Sequence, residues 1–142
     1  MNEFYVFSVK EAFYKLYKNN PGELFYVYNR IYNMKKSDKD YGYNLFCQIS
    51  NFLDKKYINN MIKEQYKDKI MYSNCGNEHI INNLFLNEIS ILTVKNCTIK
   101  IESNVSNPSF FNSLKNSNMF LFVCNFKDKN YFFVNRIKSK AK

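Results

Sequence analysis

The chain has 142 residues, 46% of them hydrophobic and 18% aromatic, and carries a formal net charge of +9. Length and apolar content are enough for one domain that folds around its own core, which excludes disorder and any need for disulfides or metals to hold it. With three glycines and one histidine in the whole sequence, no glycine-rich phosphate loop, nucleophile elbow or paired-histidine metal motif can be written.

The positive charge invites a nucleic-acid reading, but its composition and distribution argue against a dedicated binding lobe. Only Arg30 and Arg136 are arginines, and the abundance of Lys, Asn, Ile, Tyr and Phe is what AT-rich codons encode. Residues 1–72 hold 12 basic and 8 acidic side chains (+4), and residues 73–142 hold 9 and 4 (+5), so neither half is a polyanion face. A basic tail, Lys138 to Lys142, follows a single domain expected over residues 1–137. Cys47, Cys75, Cys97 and Cys124 lie more than twenty residues apart, a spacing that fits free buried thiols and not a zinc site. The absence of a basic leader or a long apolar run predicts a cytoplasmic protein with no membrane partner.

In chain order, Phe4 to Phe7 predicts a short strand. Ser8 to Met34 then predicts a helical hairpin. Ser8 with Glu11 has the spacing of a capping box, and Asn20-Pro21-Gly22-Glu23 repeats it with proline at the first helical position. In the first helix Val9, Ala12 and Leu16 are spaced as a core-facing stripe, leaving Phe13 and Tyr17 as a second i, i+4 pair. Two readings of that pair stay open: a wrap around the edge of the core, or a docking patch of rigid aromatics. In the second helix Leu24, Phe25, Tyr28, Ile31 and Tyr32 share one apolar face.

Lys35 to Gly42 reads as a charged loop. Tyr43 to Leu53 returns to helical spacing, with Leu45 or Phe46, Ile49 and Leu53 inward. Gln48, Asn51 and Phe52 fall beside that stripe, as ordinary surface or as an extension of an exposed patch. Asp54 is placed to cap a further helix carrying Tyr57, Ile58, Met61, Ile62, Gln65 and Tyr66. From Ile70 onward the pattern is of strands: Ile70 to Tyr72, a turn at Asn74 to Asn77, and a run from His79, which has no partner residue at a catalytic offset and reads as structural or surface. Ile89 to Val94 and Cys97 to Glu102 predict a hairpin with a two-residue turn at Lys95-Asn96, with Cys97, Ile99 and Ile101 on one face. Asn107-Pro108 opens a short helix burying Phe110, Phe111 and Leu114. Met119 to Phe126 and Tyr131 to Ile137 are continuous apolar runs, expected as central strands. The segregation of helices and strands predicts an α+β fold, a two-layer domain whose mainly antiparallel sheet has helices packed on one face.

Taken together, the opening FYVFSVKEAFYKLY, the following N-x-x-E-L-F helix and the closing FLFVCNFKDKNYFFVNRIK resemble the sporulation inhibitor of replication (SirA) family. The resemblance is strongest at the two ends of the chain. It implies a small α/β inhibitor, made at the onset of sporulation, that binds the N-terminal domain of the replication initiator DnaA and blocks initiation by stoichiometric occlusion, without a cofactor. It also implies a partner-binding aromatic pair on the first helix, matched here by Phe13 and Tyr17 after Lys10-Glu11-Ala12, and a second contact region near Gln48, Asn51 and Phe52. Two other classes stay in view: a small basic nucleic-acid-binding module using the lysines and tyrosines, and an interaction protein with another partner.

Overall fold

The computed structural model describes residues 1–134. Its strands are β1 (Asn2–Val9), β2 (Ser50–Asn51), β3 (Tyr72–Cys75), β4 (Glu78–Asn83), β5 (Glu88–Val94), β6 (Ile99–Ser103), β7 (Phe120–Asn125) and β8 (Asn130–Phe133). The α-helices are α1 (Glu11–Tyr17), α2 (Pro21–Tyr32), α3 (Lys39–Ile49), α4 (Lys55–Tyr66) and α5 (Phe110–Leu114). The strands pair antiparallel in the order β3-β4-β5-β6-β1-β7-β8, with β2 added at the end of β1. The α+β class and the antiparallel sheet are as the sequence predicts.

The layering is different. Successive side chains of β1 point to opposite faces, and both faces are covered. Phe4 and Val6 join Leu121 and Val123 in a core with Ile58 and Ile62 of α4 and Phe110, Phe111 and Leu114 of α5. Phe7 and Val9 join Phe122 and Cys124 in a second core with Leu24, Phe25 and Tyr28 of α2 and Phe46 and Ile49 of α3. Helices therefore lie on both faces, not one. The unbroken apolar runs of β1 and β7 are the cause, since a strand that is apolar on both sides needs cover on both sides. Each fully buried large side chain in these cores contributes about 1.5–3 kcal/mol.

β1 is the strand between β6 and β7, while β8 is the edge strand at one end of the sheet. Tyr131 and Phe132 are accordingly exposed in part, correcting the expectation of a central position. The remainder of that expected strand, 135–137, and the basic tail Lys138 to Lys142 lie outside the described residues.

Several local readings shift for identifiable reasons. Ser8 is not a helix cap: it is buried within β1, opposite Leu121 and Asn51, and α1 is entered at Lys10 with no side-chain cap. Pro21 opens α2 as expected, though the Asn20 side chain makes no cap bond. The expected loop at Lys35 to Gly42 contains a 3-10 turn (Lys36–Asp38) and the start of α3. Gly42 is buried there, packed so closely that a Cβ would lie 2.6 Å from the Met34 sulfur. α3 stops at Ile49 and not Leu53, and Ser50-Asn51 becomes β2. Asp54 caps α4 as predicted, accepting from the Tyr57 amide at 3.1 Å.

The β5–β6 turn spans four residues, Lys95 to Thr98, because Val94 pairs with Ile99. Cys97 leaves the Ile99–Ile101 face and packs on the other core. β3 begins at Tyr72, leaving Ile70 fully exposed. α5 is capped at Ser109, not Asn107, and the buried Glu88 carboxylate accepts from the Ser109 amide (3.0 Å) and hydroxyl (2.6 Å). Of the four free thiols only Cys124 is buried, and Cys75 is exposed.

Candidate partner-binding surface

The chain leaves β1 at Val9 and turns at Lys10 into α1. At this corner it is stitched to the end of α3. The Lys10 amide donates to the Ile49 carbonyl (2.9 Å), and Lys10 Nζ donates to the Cys47 carbonyl (2.8 Å). α3 has no basic residue in its own last turn, so Lys10 supplies from outside the cation that a helix C-terminus favours. Beside these bonds Ser8 pairs with Asn51 and Val9 with Ser50. The start of α1, Gln48 in the last turn of α3 and Asn51 in β2 thus share one corner of the molecule.

A buried pair holds the corner from beneath. The Tyr28 hydroxyl and Ser50 Oγ are 2.6 Å apart, and the Tyr28 ring stacks on Phe7 with centroids 4.2 Å apart. Burial, partly opposed by the Ser50 hydrogen bond, pushes the Tyr28 phenol well above its ordinary range. Burial thus favours the neutral hydroxyl, the form that bonds Ser50.

Phe13 and Tyr17 are half-buried against the core of α2 and α3, together with Tyr14. The Tyr14 ring stacks on Phe120 at 4.2 Å and meets the edge of Phe133 at 5.0 Å. The inward face of α1 is therefore Phe13, Tyr14 and Tyr17. Ala12 and Leu16, expected inward, face outward, with Leu16 66% exposed. The reason is that Val9 belongs to β1, so it cannot set the phase of the helix.

Gln48, Asn51 and Phe52 are all exposed. Phe52, at 58% exposure, is a bare aromatic whose nearest ring is Tyr43, 6.4 Å away. The Tyr43 hydroxyl, hydrogen-bonded to Cys47, is raised above its ordinary pKa. The corner therefore offers half-covered rings from α1 and uncovered ones from α3 and the segment after β2. From the sequence Leu16 is expected in the core and Tyr43 is given no surface role, yet both are exposed. Leu16 was hidden by the wrong helical phase, and Tyr43 by lying one helical turn before the residues that drew notice.

His79 is fully buried in β4, 2.6 Å from the Tyr72 hydroxyl through Nδ1 and 2.8 Å from Asn59 Oδ1 through Nε2. Both nitrogens are occupied in a structural network. Burial first, and the Lys63 ammonium second, lower its pKa to about 4. Among the described residues no three His, Cys, Asp or Glu side chains come together as a metal site, and no helix is long and apolar enough to cross a membrane.

What this corner brings together, by backbone pairing, is a set of half-covered and bare aromatic rings. Residues 2–138 match the family described as sporulation inhibitor of replication protein SirA. The chain belongs to that family, whose members are inhibitors of replication associated with sporulation. No curated protein sequence matches the chain.

Proposed function

We propose that the chain halts new rounds of replication by binding the N-terminal domain of the initiator DnaA, one molecule to one, and covering a surface that the initiator needs. The partner and the occlusion mechanism are carried from the family resemblance. The observation that supports the location is the bond from the Lys10 amide to the Ile49 carbonyl. It joins two segments far apart in sequence, one carrying Phe13 and Tyr17, the other Gln48, Asn51 and Phe52.

A surface of this kind suits occlusion. Phe52 is exposed and ready to fill a pocket, while Phe13 and Tyr17 are anchored by their buried edges, so ordering them on binding costs little entropy. Polar Gln48 and Asn51 lie beside them as a rim. As central hot-spot residues, Phe13, Tyr17 and Phe52 should each cost on the order of 2 kcal/mol of binding when cut to alanine.

The test is calorimetric titration of the purified chain against the isolated N-terminal domain of its host's DnaA, at low and high salt, with Phe13→Ala, Tyr17→Ala and Phe52→Ala alongside. Because Phe13 and Tyr17 touch the core, each variant's melting temperature is measured as well. Saturable, salt-tolerant binding that Phe52→Ala weakens without loss of stability supports the proposal. Full affinity in all three folded variants removes the site, and no binding by the native chain removes the partner.

One observation favours the nucleic-acid alternative: a groove between α4 and the β3–β4 turn is lined by Lys55, Lys56, Lys63, Asn59, Asn74 and Asn77. Binding there would weaken steeply with salt, since phosphate contacts release counterions. The same titration with duplex DNA in place of the protein partner decides it.

A further inference from the structure

The groove between α4 and the β3–β4 turn has a volume of about 460 Å³ and two walls that are fixed to each other. Asn59 Nδ2 on α4 donates to Asn77 Oδ1 in the turn (2.8 Å), and Asn59 Oδ1 meets Nε2 of the buried His79 (2.8 Å). Asn74 Nδ2 donates to the carbonyls of Gly76 (3.1 Å) and Glu78 (3.0 Å), which holds the turn closed. The cleft is therefore formed before anything enters it.

Its charge is of one sign. Every charged side chain that lines it is a lysine: Lys55, Lys56 and Lys63. The acids nearby are used or turned elsewhere. Asp54 caps α4 through the Tyr57 amide, and Glu64 pairs with Lys67. Glu78 follows the strand alternation of β4 and points to the face opposite His79, away from α4. Among the described residues none of the three lysines forms an ion pair. Like charges gathered along a fixed cleft repel one another, and an anionic occupant removes that cost.

Register places the groove beside the Lys10 corner. The Asn77 carbonyl accepts from the Val94 amide (2.9 Å), and the Leu53 amide donates to the Asn96 carbonyl (2.8 Å). Val94 pairs with Ile99 and Ile99 with Val6, so both turns lie toward the Val9 end of β1, where β2 is attached. Exposed Phe52 precedes Lys55 by three residues. A molecule seated on Phe52 thus has the mouth of the groove next to it.

We infer that this groove takes an acidic, extended segment of the same partner that the corner holds, with Lys55, Lys56 and Lys63 receiving its carboxylates. The inference rests on the partner-binding reading, since the corner is what brings the segment there. Spacing favours an extended acidic run. Lys56 and Lys63 are seven residues apart on α4, about 10 Å along its axis, which one carboxylate cannot span and about three residues of extended chain can. The asparagines point the same way. Their amides both donate and accept, as a peptide main chain requires, whereas phosphate oxygens only accept. The lining holds no arginine to grip phosphate in a fork and no aromatic ring to stack a base. The rings of the corner keep the hold on the partner, while the lysines act chiefly on the rate at which the complex forms.

The experiment joins two measurements on the full chain with the isolated N-terminal domain of its host's DnaA. Carbodiimide, which links an amine to a carboxylate in contact with it, is expected to join at least one of Lys55, Lys56 and Lys63 to an Asp or Glu of the partner, read by mass spectrometry of the linked peptides. The triple variant Lys55→Gln/Lys56→Gln/Lys63→Gln is expected to associate about fivefold more slowly at low salt, with little change in dissociation or melting temperature, and the difference closes at high salt. Phe52→Ala is expected to speed dissociation instead. A triple variant that associates at the native rate, or links through other lysines only, overturns the groove and leaves the corner standing. A native chain that binds no partner overturns the corner and the groove together. Duplex DNA bound by the native chain and lost in the triple variant reassigns the groove to nucleic acid and overturns the acidic segment.

Discussion

The ammonium group of Lys10 donates a hydrogen bond to the carbonyl of Cys47, 37 residues later, at 2.8 Å. One side chain thus closes the last turn of α3 and fixes the angle at which α1 leaves the sheet. Replacing it with methionine keeps the aliphatic stem and removes the charge. Lys10→Met should lose about 1 kcal/mol of stability, a fall of roughly 3 °C in melting temperature. If α1 and α3 form one binding surface, affinity for the partner falls as well. An unchanged melting curve would show that the bond contributes nothing.

Tyr28 and Ser50 test the support beneath that corner. Tyr28→Phe leaves the buried Ser50 hydroxyl without its partner, at a cost of about 1–3 kcal/mol, and Ser50→Ala does the same to Tyr28. The two losses should not add, because either change already breaks the same bond. Urea denaturation of both single variants and the double variant measures this. Strict additivity would mean that the two hydroxyls do not act as a pair.

The phase of α1 can be checked directly. Leu16→Ser should leave stability within about 0.5 kcal/mol, as for an exposed position. Tyr14→Ala, which strips a ring from Phe120 and Phe133, should cost about 2 kcal/mol or more. Reversed sizes would restore the stripe in which Leu16 faces the core.

His79 should make stability depend on pH in the acid range. Its folded pKa is lowered from 6.5 to about 4. Between those values the unfolded chain takes up a proton that the folded chain does not, so stability rises with pH from 4 to 6.5 and is level, for this group, outside that window. The loss on acidification is on the order of 3 kcal/mol. His79→Gln should be less stable at neutral pH, having lost the Tyr72 and Asn59 bonds, yet show a flatter slope between pH 4 and 6.5. An equal slope in both proteins would mean that other groups carry the acid sensitivity.

Signals that act over a few residues were legible in the sequence. Pro21 opens α2 and Asp54 caps α4, because proline at a first helical position and a carboxylate before a helix work locally. Ser8 and Glu11 have the same local spacing, but Ser8 is claimed by pairing with Leu121, a contact that no local pattern contains. That one misplacement rotated α1, turned Ala12 and Leu16 inward and left Phe13 and Tyr17 open between the edge of the core and a docking patch. β2 was illegible for a similar reason: two residues carry no periodicity, and they become a strand only because Ser8 and Val9 lie beside them. The covering of both faces was in the sequence all along, in the uninterrupted apolar runs of β1 and β7. At the candidate surface the residue types could be read, whereas the joining of α1 to the α3–β2 corner needed the Lys10 bonds to be seen.

β1 is made first and lies between two strands made much later. One neighbour ends at Ser103 and the other at Asn125. During synthesis at about 5–20 residues per second, the opening strand waits on the order of ten seconds before its second neighbour exists. Until then Phe4, Val6, Phe7 and Val9 have nothing to pair with on one side, and the corner at Lys10 has no rigid base. A nascent chain cut short anywhere before β7 is therefore an unfinished sheet with an exposed apolar centre, prone to clump and fit for degradation. Only a chain completed through β7 can close the sheet around β1.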